Sequence, residues 1–260
     1  MINRKANTSD VVGLIPAAGD ATRIPGLPFS KALYPVPDRA GDAPAIQTPI
    51  GRLLTAMETA GARRAIVVSR HGRHDLADYV GSGFDFGLPV AHLPIPPTPS
   101  VPHTLCAAKA FVKDAHVLFG LPDILFDPPD SLRRILSVEL ESSADVVLGL
   151  LPMDRLDKSD RVEVDDRRQV VRIDVKSHSS SGYAWIFAAW SPVFSDFLAD
   201  YVAAAERRNR ANEGELQLAE IFVAARSSGL TVLGETIRQG RFLDIGSPDA
   251  LARVARFVED

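Results

Sequence analysis

An α/β fold is predicted by three features of the sequence. Apolar runs of strand length alternate with amphipathic stretches of helix length over about the first 150 residues. Beyond them the rhythm changes to short strands that pair through tight turns. The chain of 260 residues is 46% apolar and 24% charged, shows no internal repeat or low-complexity tract, and can bury a substantial core.

Val11 to Pro16 reads as the first strand. Ile50, Leu53, Leu54 and Met57 share one helical face, and "AIVVSR" (65–70) follows as the next strand. A further strand is expected near Leu88 to Leu93, and the proline cluster "LPVAHLPIPPTPSVPH" reads as a stiff loop. The stretch from Ala107 to Val112 falls in a helix, and "AHVLFG" is a strand. Leu132, Ile135, Leu136 and Leu140 mark a helix before the buried strand "ADVVLGLLP". "RVEVDDRRQVVRIDV" predicts two antiparallel strands around a turn at Asp165-Asp166, and "GYAWIFAAW" a strand rich in aromatic and aliphatic residues. Two helices, the short strands "LTVLGETI" and "RFLDI", and a closing helix from Pro248 complete the pattern. That last helix has Ser247 as N-cap, Pro248 in its first turn and Asp249 near its positive end.

The formal charge of −4, without a basic stripe, argues against a nonspecific nucleic-acid binder. Cys106 is the only cysteine, so neither an internal disulfide nor a cysteine zinc cluster can form. The polar opening "MINRKANTSD" lacks a signal-peptide core, and no apolar run approaches membrane-spanning length. A cytoplasmic protein with no membrane partner is the expectation. His71 and His74, beside Arg70 and Arg73, read as a solvated helix start, and no Ser-His-Asp constellation can be assembled.

The most informative stretch is "GLIPAAGDATRIPGLPFSKALYPV". After the strand, Ala17, Ala18 and Gly19 leave backbone amides uncrowded, able to approach phosphate oxygens closely. Arg23 can grip a phosphate in bidentate fashion and Lys31 supplies a compact second charge. The competing reading is a small-residue turn with two surface cations. Neither a P-loop nor a G-x-G-x-x-G fingerprint is present.

"PAAGDATR…FSKALYPV" resembles the signature of the sugar-1-phosphate nucleotidyltransferases, roughly L-A-[AG]-G-x-G-T-R followed by P-K or S-K-x-L-x-P-V. "LFGLPDILF", "VEVDDRRQVVRIDVKS", "SGYAWIFAAW", "GELQLAEIF" and "FLDIGSPDAL" are similar, in order and spacing, to the family's later segments. The resemblance implies a Rossmann-like fold with a central mixed, mostly parallel sheet flanked by helices. It also implies a single domain over 1–260, with a nucleotide-binding part at about 11–150 and a sugar-phosphate and metal-completing part at about 151–260. The implied reaction joins an NTP to a sugar 1-phosphate, giving an NDP-sugar and pyrophosphate. By the same resemblance Arg23 and Lys31 are catalytic, and Asp123 and Asp244 hold Mg²⁺. Ala17, Ala18, Gly19, Asp20, Ala21, Thr22, His103 and Thr104 contact the nucleotide, and Lys176, Gly182, Tyr183 and Glu215 the sugar phosphate. The short layout resembles the thymidylyl and uridylyl members, which favours dTTP or UTP, and a homo-oligomer is in keeping with the family.

Several positions depart from the pattern. Ala21, Pro122, Thr104 and Arg161 stand where the family has glycine, and Val175 where it has glutamate. These changes touch the sugar pocket more than the phosphate site. They suggest intact chemistry on an unusual acceptor, with a noncatalytic nucleotide-sugar-binding module as the alternative.

Overall fold

The computed structural model describes residues 10–19, 24, 26–38, 45–153, 159–177, 181–208 and 214–259, with only the backbone for 176 and 177. In chain order, β1 (Val11–Ala17) leads through a short ribbon, β2 (Val36–Asp38) and β3 (Ala45–Gln47), to α1 (Pro49–Ala60). Next come β4 (Arg64–Arg70), α2 (Asp75–Val80), β5 (Val90–Ile95), α3 (Val101–Ala107) and β6 (His116–Gly120). After β7 (Ile124–Asp127), α4 (Ser131–Ser142) and β8 (Val146–Met153) come β9 (Ser159–Val164), β10 (Val170–Ser177) and β11 (Gly182–Trp190). The chain closes with α5 (Pro192–Arg207), α6 (Leu218–Ser227), β12 (Val232–Thr236), β13 (Arg241–Asp244) and α7 (Pro248–Glu259).

The central sheet is mixed. β5, β4, β1 and β6 run parallel, which explains why β1 reads as a continuous apolar run: it is covered on both faces. β11 then pairs antiparallel with β6 and β8, and β12 lies parallel to β8. The first half of β11 pairs instead with β9, which carries β10 beyond it. One core cluster packs α1 and α4 against one face; the other packs α3, α5 and α6 against the opposite face. The predicted helical stripe of Ile50, Leu53, Leu54 and Met57 is buried. Its helix starts where Thr48 Oγ1 accepts the Gly51 N–H at 3.1 Å, and ends at Gly61, whose φ of 104° suits glycine.

Two expectations are corrected. The proline cluster is not one loop, since its first part is β5 and its last part opens α3. Pro94 is tolerated because, among the described residues, β5 pairs only with β4 and lies at the sheet edge. The helix expected over 107–112 begins earlier, at Val101 after an extended Ser100, and ends by Ala107; only a 3-10 turn, Lys109–Phe111, follows.

Strand direction positions the site. β1, β4, β5 and β6 all end at one edge of the sheet, and antiparallel β11 starts there with Gly182 and Tyr183. Loops leaving the carboxyl ends of parallel strands form the usual ligand crevice of such sheets.

Candidate functional site

A cavity of about 430 Å³ opens at that edge. Pro16 and Ala17, at the end of β1, line it together with Ala18 and Gly19 just beyond. A Cβ added to Gly19 would meet nothing within 4 Å, so the loop faces open space. Leu121, Pro122 and Asp123 enter from the end of β6, and Asp244 from the end of β13.

A two-stranded ribbon brings the two aspartates together. β7 and β13 pair antiparallel with Asp244 opposite Ile124, and the Ile245 N–H donates to the Asp123 carbonyl at 3.0 Å. An added Cβ at Gly246 would press to 2.8 Å from Asp244 Oδ1, so glycine there leaves that carboxylate its room. Behind the ribbon, Leu125, Leu243, Ile245, Ala250 and Val254 form a separate apolar cluster with Val36. Ser247 caps α7 as predicted, its Oγ accepting the Ala250 N–H at 3.2 Å.

Lys31 opens a 3-10 turn, Lys31–Leu33, and its Nζ lies 2.5 Å from Asp123 Oδ2. The preceding amide is held as well: Asp75 Oδ2 accepts the Ser30 N–H at 2.6 Å. Thr98, Pro99, Ser100, Val101 and Thr104 wall the other end of the cavity. Thr104 is buried, and its hydroxyl lies 2.6 Å from that of Thr98 and donates to the Ser100 carbonyl at 3.2 Å. Glu215 also lines the cavity.

The structure therefore gathers Ala17, Ala18, Gly19, Lys31, Thr104, Asp123, Glu215 and Asp244 around one space. Other expected members are placed differently. His103 is not among the lining residues; its Nδ1 is 2.7 Å from Ser100 Oγ, and its Nε2 3.7 Å from Glu206. Gly182 and Tyr183 line a second, more open cavity of about 490 Å³ together with Arg161 and Arg238. Gly182 has a φ of 136°, and a Cβ there would stand 2.8 Å from Arg161 Nε. Arg161 thus fills the space beside Gly182, paired to Glu163 at 2.8 Å, while its Nε is buried with no hydrogen-bond partner among the described residues. Arg23, Asp20, Ala21 and Thr22 lie outside the described residues, as does the side chain of Lys176.

Arg73 escaped the sequence reading. It lines the cavity and is half-buried, whereas its place between two histidines suggested a solvated helix start. The only available signal was its position just beyond a parallel strand. Burial, with the Glu206 charge adding and Lys109 opposing, pushes the thiol of Cys106, in α3, up to about 11.

Among the described residues no cluster of three or more His, Cys, Asp or Glu could enclose a metal. The donor set nonetheless fits Mg²⁺, which is commonly held by one or two carboxylates with substrate phosphates and water completing the shell. Asp123 and Asp244 would be those carboxylates.

The fold is shared with solved structures. A structure assigned as a glucose-1-phosphate thymidylyltransferase from Bacillus anthracis, in complex with sucrose, superposes with a TM-score of 0.79 at 17% identity, over 96% of both chains. A UTP-bound UGPase from Acinetobacter baumannii gives 0.70 at 18% identity, covering 95% of this chain and 93% of that one. HddC from Yersinia pseudotuberculosis gives 0.66 at 16% identity, covering 96% and 99%. No family model matches the sequence, and no curated protein matches it.

Proposed function

We propose that this chain is a nucleotidyltransferase that couples an NTP to a sugar 1-phosphate, releasing pyrophosphate. The observation that carries the reading is the convergence of a small-residue loop, a lysine and two aspartates from one ribbon around a single cavity. Its volume lies within the range common for small-molecule sites. The sugar-phosphate oxygen attacks the α-phosphorus, the bond to the β-phosphate oxygen breaks, and pyrophosphate leaves. Such a transfer needs positioning and charge compensation more than covalent help from the protein. The amides of 17–19 approach the phosphates, Lys31 contacts the α-phosphate, and Arg23, on the signature resemblance, grips the leaving group. Mg²⁺, held by Asp123 and Asp244, would offset charge on the phosphate oxygens.

The thymidylyltransferase and the UTP-bound relative support a pyrimidine nucleotide, dTTP or UTP. Lys176 and Glu215 belong to the acceptor's side of the site in this reading, with Gly182 and Tyr183 at its outer limit. Arg161, packed on Gly182, favours an acceptor unlike the family's usual sugar; it is also the observation that favours a noncatalytic binding module. Pyrophosphate release from a panel of NTPs and sugar 1-phosphates separates the two. Turnover with one pair, nearly abolished in both Asp123→Asn and Asp244→Asn at saturating Mg²⁺, is the expected result. Nucleotide-sugar binding without release from any pair would establish the module instead.

A further inference from the structure

We propose that Arg73 is a substrate contact that takes the phosphate tail of the nucleotide, an inference that rests on the nucleotide-binding reading of the cavity. Arg73 lines the same space as Ala17, Gly19, Lys31 and Asp123. The turn that carries it is held at three points. The His71 N–H donates to the Ile95 carbonyl at 2.9 Å, and the Arg73 N–H to the Arg70 carbonyl at 3.2 Å. Two residues further on, Asp75 Oδ2 accepts the Ser30 N–H at 2.6 Å. The backbone of this turn is therefore tied to the segment of Lys31, which follows Ser30 directly.

The charges of the lining explain why a second cation belongs there. Among the described residues the cavity presents Lys31 and Arg73 against Asp123, Glu215 and Asp244. Lys31 is already engaged by Asp123 at 2.5 Å. A triphosphate brings several negative charges into a space whose described lining holds more carboxylates than cations, so a guanidinium there adds to the charge that Arg23 supplies in the proposed reading. A guanidinium suits phosphate because its planar fork donates two parallel N–H bonds. The wall from Thr98 to Thr104 offers proline, valine and hydroxyl groups, a surface fitted to a base rather than to phosphate. The turn of Arg73 is tied both to Ile95 and, through Asp75, to Ser30 beside Lys31; of the two ends of the nucleotide, a guanidinium's charge suits the phosphates.

Calorimetric titration of wild type and Arg73→Gln, in the presence of Mg²⁺, tests the assignment. The probes are the triphosphate bound tightest among ATP, GTP, CTP, UTP and dTTP, its monophosphate, and inorganic pyrophosphate. The glutamine variant should bind triphosphate and pyrophosphate about tenfold or more weakly, the loss expected for a charge-assisted hydrogen bond. Monophosphate affinity should stay within about twofold by the same arithmetic. Arg73→Lys should recover part of the loss and carries the comparison if thermal unfolding shows the glutamine variant misfolded. Weakening of both nucleotides with pyrophosphate spared would make Arg73 a nucleoside contact and overturn the inference, as would equal weakening of all three probes or unchanged affinities. A wild-type protein that binds none of the probes overturns the nucleotide reading itself, an outcome distinct from either.

Discussion

Lys31 and Asp123 meet with side chains only 12% and 21% exposed. The lysine is the counter-ion of a carboxylate that, in the proposed reading, would hold Mg²⁺. Lys31→Met should therefore have two opposite effects. Turnover should fall by roughly a hundred- to thousand-fold, as for the loss of one preorganised charge partner. Binding of Mg²⁺ without nucleotide, followed by calorimetry, should tighten, because Asp123, one of the two proposed ligands, loses its competing cation. Unchanged Mg²⁺ affinity would mean that the ion pair has no bearing on the metal site. At this scale much of the cavity was legible in the sequence. Lys31 was marked by its charge beside the small-residue loop, and Asp123, Glu215 and Asp244 by the family resemblance of their segments; each lines the cavity. His103 and Arg73 were not legible, because helical phase and loop course decide whether a side chain faces the cavity. His103 points its ring to Ser100 and Glu206. Thr104, one residue on, turns toward Thr98 and the cavity.

Among the elements, the β7–β13 ribbon matters most, since it sets the distance between the two aspartates. The long buried strands and the amphipathic helices could be read from periodicity. β7 could not: four residues after Pro122 are too few to show an alternation, and its partner is more than a hundred positions away. The β2–β3 ribbon, three residues a side, was missed for the same reason. What pins the β7–β13 ribbon is Asp127, which accepts from Arg52 Nη2 at 3.2 Å and from Arg241 Nη2 at 3.0 Å. Arg241 in turn lies over the Phe257 ring, 4.7 Å from its centroid, tying in α7. Asp127→Ala should lower unfolding free energy by about 1–3 kcal/mol, since it leaves two partly buried guanidiniums without their acceptor. If Asp244 depends on that register, turnover should fall as well, although Asp127 does not line the cavity. Denaturant unfolding and kinetics on one preparation would check both; a variant of unchanged stability would remove Asp127 from the account.

For the whole molecule, the candidate site and a pH-sensitive stabilising contact lie at opposite edges of the sheet. The cavity sits at the carboxyl end of β6, whereas His116 begins that strand and joins it to α4. His116 Nδ1 lies 2.8 and 2.9 Å from the two carboxylate oxygens of Glu139, a residue only 1% exposed. That hydrogen bond raises the histidine's pKa above its usual 6.5, with burial opposing and the Glu139 charge assisting. Protons are thus held more tightly in the folded state than in the unfolded one. The stabilisation is fully present below the unfolded histidine pKa and is lost as pH rises through the folded one. Melting temperature should decline from about pH 6.5 upward by this contribution. The decline should flatten in His116→Gln, whose amide can still donate to Glu139 but does not titrate. The pH profile of turnover should be the same in wild type and variant, because nothing at the start of β6 reaches the cavity. A His116→Gln protein that keeps the wild-type slope of stability against pH would show that the titrating group lies elsewhere.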